Sequence, residues 1–416
     1  MNAEIVSVGT ELLLGDVVNS DTAIVAKALT TIGVSMLHAC TVGDNPGRLE
    51  QTLRESLSRC DLVITTGGLG PTEDDLTKET IAKVAGKQLV EDKGSRQRIE
   101  EYFKGRQCSE NQYKQAMLPE GCYVLPNDTG TAPGCVCTTA EGKRIAMLPG
   151  PPSELKPMLE RYLIPYLRGE DTTVIYSRNV RVFGKGEGLV ASEIGDIVNG
   201  ENPTAATYAG NGEMYVRVTA KAESQSAAED LCRPVIERIC DIVGDCVYTT
   251  EYGSLEETVL HLLLGQGKTL ATAESCTGGL VAKRITDLPG SSSVFEMGAV
   301  TYSNRIKTLL IDVPADMLEH HGAVSEPVAK AMAEGVRRRA GSDLGIGITG
   351  VAGPGGGTEE KPVGLVYVSL SDGATTWVKR LEPSPVARTR QFYRNRAAST
   401  ALDMVRRYLT NLPVIW

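Results

Sequence analysis

The chain has 416 residues, 41% hydrophobic and 23% charged, and carries a net charge of -9. That length exceeds a single hydrophobic core and predicts roughly two to four domains of ordinary globular composition, neither disordered nor fibrous. The acidic balance argues against a general nucleic-acid surface. With no basic region before the first apolar residues and no apolar run of membrane-spanning length, a cytoplasmic location without membrane contact is expected.

In chain order, residues 1–170 open on the buried-strand pattern "AEIVSVG", followed by a loop and the helix-like "SDTAIVAKALTTIG". The scheme repeats with "DLVITTGG" and "TEDDLTKETIAKVAG", and "RIAMLPGPPSELKPMLERYLIPYL" adds a strand, a turn and a helix that close the segment near residue 169. Strands alternating with helices predict a doubly wound parallel sheet whose ligands gather at the strand carboxyl ends. Within it, "TTGGLGPTEDDLT" ends a strand in a glycine-rich turn and starts a helix with acids. Gly67, Gly68 and Gly70 would let backbone amides approach a phosphate, which a helix amino terminus also favours. Asp74 and Asp75 would then bridge a divalent cation to that phosphate, although acids in a first helical turn also serve simply to complement the helix dipole. Ten cysteines are scattered along the chain and read as reduced thiols. Cys135 and Cys137, in "GCVCTT", are expected on opposite faces of a strand, a poor arrangement for sharing a metal.

"GEDTT", from Gly169, reads as a linker, and residues 174–250 have a different texture. "TVIYSRNVRVFG" predicts a strand, "EGLVASEIGDIV" a helix, "TAATYAG" with "GEMYVRVTAKA" a hairpin, and "AAEDLCRPVIERICDIVG" a second helix. This is a small α+β module without a catalytic constellation, suited to a spacer or a dimerisation element.

Residues 251–416 begin at a capping box, Ser254 with Glu257, which marks the start of an autonomous domain. "TLATAES", "SVFEMGAVTYS", "LGIGITG" and "VGLVYVSL" predict strands with helices between them. In "TAESCTGGLVAKRI" a serine stands beside a cysteine, then two glycines, then a helix, and the nucleophile and its base need assigning. The chain has four histidines. His261 falls on a helix flank and His320 and His321 in a polar turn, so a base other than histidine is expected. Thiols at helix amino termini have lowered pKa values, which keeps Cys276 as a rival to Ser275. Gly278 and Gly279 could offer amides to an oxyanion. Gly350 and Gly353, in "TGVAGPGGG", lie in a glycine loop suited to a phosphate nest or to a plain turn. Arg390 and Arg394 fall at i, i+4 on one helix, as a phosphate fork would require, with Arg388 as a substitute should the register differ. "PGSSSVF" predicts a turn that could bring Ser292 near the site.

The chain resembles the competence- and damage-inducible CinA proteins through two sets of motifs. "VGTELLLGD", "GGLGPTEDD", "PNDTGTAPG" and "LPGPPSE" resemble a molybdopterin-binding-like domain, while "AESCTGG", "VTYSNRIK" and "GITGVAGPGG" resemble a nicotinamide-mononucleotide deamidase domain. The resemblance implies a multidomain α/β protein with two activities. The first is ADP-ribose hydrolysis to AMP and ribose 5-phosphate, with a divalent metal of the magnesium, manganese or cobalt class at Asp74, Asp75 and Glu11, near Asn19. The second is conversion of nicotinamide mononucleotide to nicotinic acid mononucleotide and ammonia, without a cofactor. Carried over to this chain, Ser275 is the nucleophile, Tyr302 and Lys307 its partners, and Thr349 a substrate contact. A lysine can act as base if burial lowers its pKa from about 10.4 toward 7 or 8. The expected partners are these small nucleotides and a second copy of the chain in a homodimer. The rival readings are a scaffold in DNA uptake or repair and an amino-terminal domain that binds a pterin without hydrolysing anything.

Overall fold

The computed structural model describes residues 1–169, 174–210 and 212–416, so Glu170–Thr173 of the expected linker lie outside the described residues. The chain is a multidomain α/β protein of two compact units. One comprises Met1–Tyr176 with Ala220–Asp230, the other Ser177–Thr219 with Leu231–Trp416. Among the described residues, no helix is long and apolar enough to cross a membrane.

The first unit is built on β1 (Asn2–Val8), β2 (Ser35–Val42), β3 (Leu62–Thr66), β6 (Tyr123–Leu125), β7 (Gly134–Thr138) and β8 (Arg144–Leu148), in the order β2-β1-β3-β8-β7-β6. A separate pair, β4 (Leu89–Glu91) and β5 (Met117–Pro119), is antiparallel. β2, β1, β3 and β8 run parallel, as the alternation of strands and helices predicts. β7 and β6 extend the sheet antiparallel, because a tight turn in which Thr139 N donates to Lys143 O (2.8 Å) returns the chain directly to β8. Both faces of the sheet are covered. Leu62, Ile64 and Leu148 enter one apolar cluster, while Val63, Ile145 and Met147 enter the other, as the period of two in a doubly covered strand requires. The same period corrects the reading of Cys135 and Cys137. Residues two apart on a strand share a face, and both thiols are buried in one cluster.

The middle segment forms a sheet of β9 (Val174–Val182), β10 (Thr204–Ala209), β11 (Met214–Ala222) and β12 (Val247–Thr249), in the order β10-β11-β9-β12. The predicted hairpin is present, with Thr204 opposite Thr219 and Ala209 opposite Met214. Phe183 and Tyr248 of this module are buried in the apolar cluster that also holds Leu255, Val259 and Leu402.

The last sheet is β14 (Phe295–Val300), β13 (Leu270–Glu274), β15 (Leu344–Gly350), β16 (Val366–Ser371) and β17 (Thr376–Leu381), in that spatial order. Its first three strands are parallel and the last two antiparallel. The glycines of "LGIGITG" have a packing reason, since a Cβ on Gly345 or Gly347 would stand 2.3 Å from Ala333 O or 2.5 Å from Ala329 O. Helix Glu326–Ala340 therefore packs on β15 at backbone distance. His320 and His321, expected in a turn, instead end helix Ala315–His321.

Candidate active site

The parallel strands bring the carboxy-terminal motifs to one edge. β13 ends at Glu274, paired with Val300 of β14 and Ile348 of β15, so Ser275, "TYSNRIK" and Thr349, near the end of β15, all lie at adjacent strand ends. Ser275 N donates to Ile348 O (2.9 Å), which fixes the residue just beyond the sheet. Lys307 reaches it from helix Asn304–Ile311, whose amino end is capped by the Ser303 hydroxyl accepting from Ile306 N. Its Nζ lies 3.4 Å from Ser275 Oγ and also donates to the carbonyls of Thr301 (2.8 Å) and Tyr302 (3.3 Å). Lys307 is 1% exposed, and among the described residues no carboxylate pairs with it. Burial accordingly holds its pKa below the ordinary lysine value.

Cys276 points the other way. It is 6% exposed within the apolar cluster beneath the sheet, and burial pushes its thiol up to about 11. Both residues lie in the turn after β13, and of the two only the serine side chain hydrogen-bonds the lysine.

Glu274 escaped the sequence reading. Its carboxylate is buried and accepts from the amides of Val281 (3.2 Å) and Ala282 (2.9 Å), capping helix Leu280–Thr286 directly after the serine loop. The glutamate in "AESCTGG" before a helix start was the available signal. Gly278 and Gly279 both adopt left-handed conformations, φ 60° and 88°. The Gly278 amide donates to Ser275 O (3.1 Å), so it closes the turn instead of facing an oxyanion.

The other residues singled out in this half divide. Arg394 donates to Thr277 O through Nε (3.2 Å) and Nη2 (2.6 Å), and Arg390 donates to Gly353 O (2.8 Å) and to the Tyr302 hydroxyl (3.4 Å). Both arginines thus meet the loops around Ser275, whereas Arg388 lies 5.0 Å over the Phe392 ring. The Tyr302 phenol is mainly exposed and meets Arg390, so the residue touches Lys307 through its carbonyl and not through its hydroxyl. The Thr349 hydroxyl is buried and donates to Ala323 O (2.7 Å), which makes it a brace of the loop. Gly350 is required by space, since its Cβ would stand 2.7 Å from Leu365 O. Ser292 sits at the amino end of β14, the end opposite Ser275.

The amino-terminal motifs surround a cavity of about 520 Å³ at the carboxyl ends of β1, β3 and β8. Gly67 and Gly68 have φ of 92° and 66°, and their Cβ atoms would fall 2.3 Å from Val8 O and 2.1 Å from Thr77 Oγ1. No other residue fits this turn. The acids are not in the helix, which begins at Thr77. Asp74 and Asp75 lie in the preceding turn, where the Asp75 carboxylate accepts from Thr72 N (3.0 Å) and from the Thr72 hydroxyl. Asp75 also fills the space a Gly70 side chain would need, 2.3 Å from its Cβ position. The Glu11 carboxylate folds over Gly9, and Asn19 donates to Ser7 Oγ (2.9 Å).

Among the described residues, no three carboxylate, thiol or imidazole side chains stand close enough to share one ion, so Glu11 does not complete a ligand set with Asp74 and Asp75. The donor chemistry nevertheless suits a hard cation. Glu11, Asp21, Asp44, Asp74, Asp75 and Glu154 line the cavity, and no lysine or arginine does. Asp21 and Asp44 were not foreseen. Burial raises the Asp21 carboxyl to about 6 against a lowering by its hydrogen bond to Thr66.

Fold and sites together define a multidomain α/β protein with a cavity at the carboxyl ends of the parallel strands of its first sheet and a serine–lysine contact at those of its last. The family models agree, matching a "Probable molybdopterin binding domain" at residues 4–169, a "Damage-inducible protein CinA KH domain" at 177–249 and a "CinA C-terminal domain" at 253–409. A CinA-like protein of Desulfovibrio desulfuricans is 54% identical over 414 residues, covering 100% of this chain and 97% of that protein. Another, from Kosmotoga olearia, is 48% identical over 418 residues, covering 100% of both. A crystal structure of the protein CinA, with unknown function, from Thermoplasma acidophilum is 35% identical across 38% of this chain and 95% of that one, with a TM-score of 0.36. The chain belongs to the CinA family.

Proposed function

We propose that the carboxy-terminal site deamidates nicotinamide mononucleotide by serine–lysine chemistry. The observation that carries this reading is Lys307 Nζ 3.4 Å from Ser275 Oγ, buried and without a carboxylate counter-charge. A neutral amine takes the Ser275 proton as Oγ attacks the carboxamide carbon. The resulting ammonium returns that proton to the amide nitrogen, the C–N bond breaks, and ammonia leaves an ester on Ser275. Water, deprotonated by the same lysine, hydrolyses the ester to nicotinic acid mononucleotide. Arg390 and Arg394, at the rim of the serine loop, suit the substrate's phosphate. Ammonia release from nicotinamide mononucleotide by the purified chain tests the reading, and its absence in wild type would reject it.

For the amino-terminal cavity we infer ADP-ribose hydrolysis to AMP and ribose 5-phosphate. A diphosphate entering a cleft lined by acids, with no basic side chain, needs its charge compensated. Asp74 and Asp75 would hold a divalent cation there with diphosphate oxygens as its remaining ligands, a common division for magnesium. Such a cation supplies charge neutralisation at the scissile phosphoryl group. The turn at Gly67 and Gly68 seats the phosphates, and Leu12, Val17 and Val18 offer apolar wall to the rest of the nucleotide. Titration with ADP-ribose against molybdopterin separates this reading from pterin binding.

A further inference from the structure

One side chain in the wall of the amino-terminal cavity is left without a partner in the protein. Gln115 is 3% exposed, and its Oε1 is buried with no hydrogen bond. Among the described residues its Nε2 makes no hydrogen bond either. Other polar groups of the wall are engaged. Asn19 Oδ1 accepts from Thr22 N (3.3 Å), Asp44 from Thr10 N (2.9 Å), Asp75 from Thr72 N (3.0 Å) and Glu154 from Asn127 Nδ2 (2.7 Å). A buried amide without partners is costly, and folded proteins keep few of them.

The position is firmly held. Gln115 lies in the short helix Glu110–Ala116, directly before β5. Lys78 Nζ, on a buried side chain, donates to Lys114 O (2.7 Å), and Lys114 Nζ donates to Thr72 O (3.2 Å) and Asp75 O (3.5 Å). On the other side Asp92 N donates to Ala116 O (2.9 Å). Both neighbours of Gln115 are thus anchored, one of them to the turn that carries Asp74 and Asp75. With Oε1 turned into the wall, the end of the amide left to face the cavity is Nε2.

The charge of the wall decides what such a donor is good for. Ionised carboxylates only accept, and no lysine or arginine lines the cavity. A lysine there would be neutralised by the acids, whereas a neutral amide keeps its N–H groups free for an incoming anion. We propose that Gln115 is a diphosphate-binding residue, whose Nε2 donates to a phosphate oxygen of the ligand beside the cation position at Asp74 and Asp75. The proposal rests on the reading of this cavity as a diphosphate site. A bond from an amide to a phosphate oxygen is charge-assisted and so stronger than one between neutral groups.

The test uses the full chain, Mn²⁺ and an ADP-ribose analogue with a methylene group in place of the bridging oxygen, which binds without being split. Calorimetry gives the affinity for the analogue, and water-proton relaxation gives that for Mn²⁺ alone. Gln115→Leu should weaken the analogue roughly ten- to a hundredfold, as loss of a hydrogen bond to a charged group does, and leave Mn²⁺ alone within about twofold. Gln115→Glu should weaken it further, since the donor is lost and a negative charge is added. Rotating the amide exchanges its two ends, and this variant tells them apart: an oxygen that accepted from the ligand or held the cation would be preserved by glutamate. Because Gln115 makes no side-chain bond within the protein, Gln115→Leu should melt no lower than wild type. An unchanged affinity or a lower melting temperature in Gln115→Leu, a retained affinity in Gln115→Glu, or equal loss of Mn²⁺ and analogue overturns the proposal and leaves the diphosphate reading standing. Failure of the wild type to bind the analogue overturns both.

Discussion

Two neighbours, Ser275 and Cys276, differ in surroundings, since one meets a buried amine and the other is packed in the core. Ser275→Ala and Lys307→Met should each lower deamidation by roughly a thousandfold, and the double variant should be little worse, because residues that act as a unit are not additive. Cys276→Ala should stay within about threefold of wild type, since it removes one buried atom that makes no hydrogen bond to the amine. A live Ser275→Ala beside a dead Cys276→Ala would reverse the assignment. Only the neutral form of Lys307 accepts the proton, and burial lowers its pKa, so the rate should rise with pH and level off below the ordinary lysine range. A flat profile would remove Lys307 as the base. Asp21 gives a stability prediction of opposite sense. Its carboxyl titrates near 6 when folded and near about 3.9 when unfolded, so the native state binds more protons between these values. Its contribution therefore falls as pH rises through that window. Asp21→Asn should stabilise the protein at pH 7 by roughly 1–2 kcal/mol, discounted for solvent at the cavity mouth, and by nothing near pH 3. Equal melting shifts at both pH values would contradict the burial argument.

At the scale of elements, the capping box at Ser254 is formed. Its hydroxyl accepts from Glu257 N (3.2 Å), while the Glu257 carboxylate reaches back to Gly253 N (2.7 Å). A cap starts a helix without showing that a domain is independent. Arg406, 3% exposed, donates to Asp245 O (3.0 Å) and Val247 O (3.3 Å), and Arg284 bonds both Glu256 (2.6 Å) and Glu213 (3.1 Å). Cutting at residue 251 removes Asp245, Val247 and Glu213 along with Phe183 and Tyr248 from the shared core. Leaving the buried Arg406 and the half-buried Arg284 short of partners costs several kcal/mol. A chain of residues 251–416 should therefore melt roughly 10 °C below one of residues 177–416. Coincident melting curves would show that these bonds contribute nothing net. Legibility in the sequence also varied by element. β1, β3, β13 and β15 were readable as apolar runs, but β2, "SMLHACTV", is an edge strand with half its residues exposed and lacks that pattern. Helix Pro46–Arg59 has a plain signature in Asn45 and Pro46, which the apolar pattern alone does not reveal.

For the whole molecule, the two proposed chemistries make opposite demands. The amino-terminal cavity needs cations to admit a diphosphate, whereas proton transfer between Ser275 and Lys307 needs none. Chelation with EDTA should abolish ADP-ribose cleavage and leave ammonia release within about twofold of the untreated rate. Equal loss of both activities would mean the sites are not chemically independent.

The sequence by itself determined the alternation of β1, β3, β8, β13 and β15 with helices, the glycine turns, and the family to which the chain belongs. These are local properties: a strand reads from its apolar run, and a left-handed turn from its glycines. It also named Ser275 and Lys307, although through resemblance, since 32 residues separate them. Only the tertiary structure decided which side chains face each other. It turned Cys276 into the core, Thr349 toward Ala323 and Asp75 back onto Thr72, and it introduced Glu274 and Asp21 as buried acids and Arg284 as a half-buried cation, each with specific partners. The reason is physical. Burial and electrostatic pairing depend on which strands lie side by side, and the parallel pairing of β14, β13 and β15 that unites the serine with its lysine is a long-range property that no local stretch encodes.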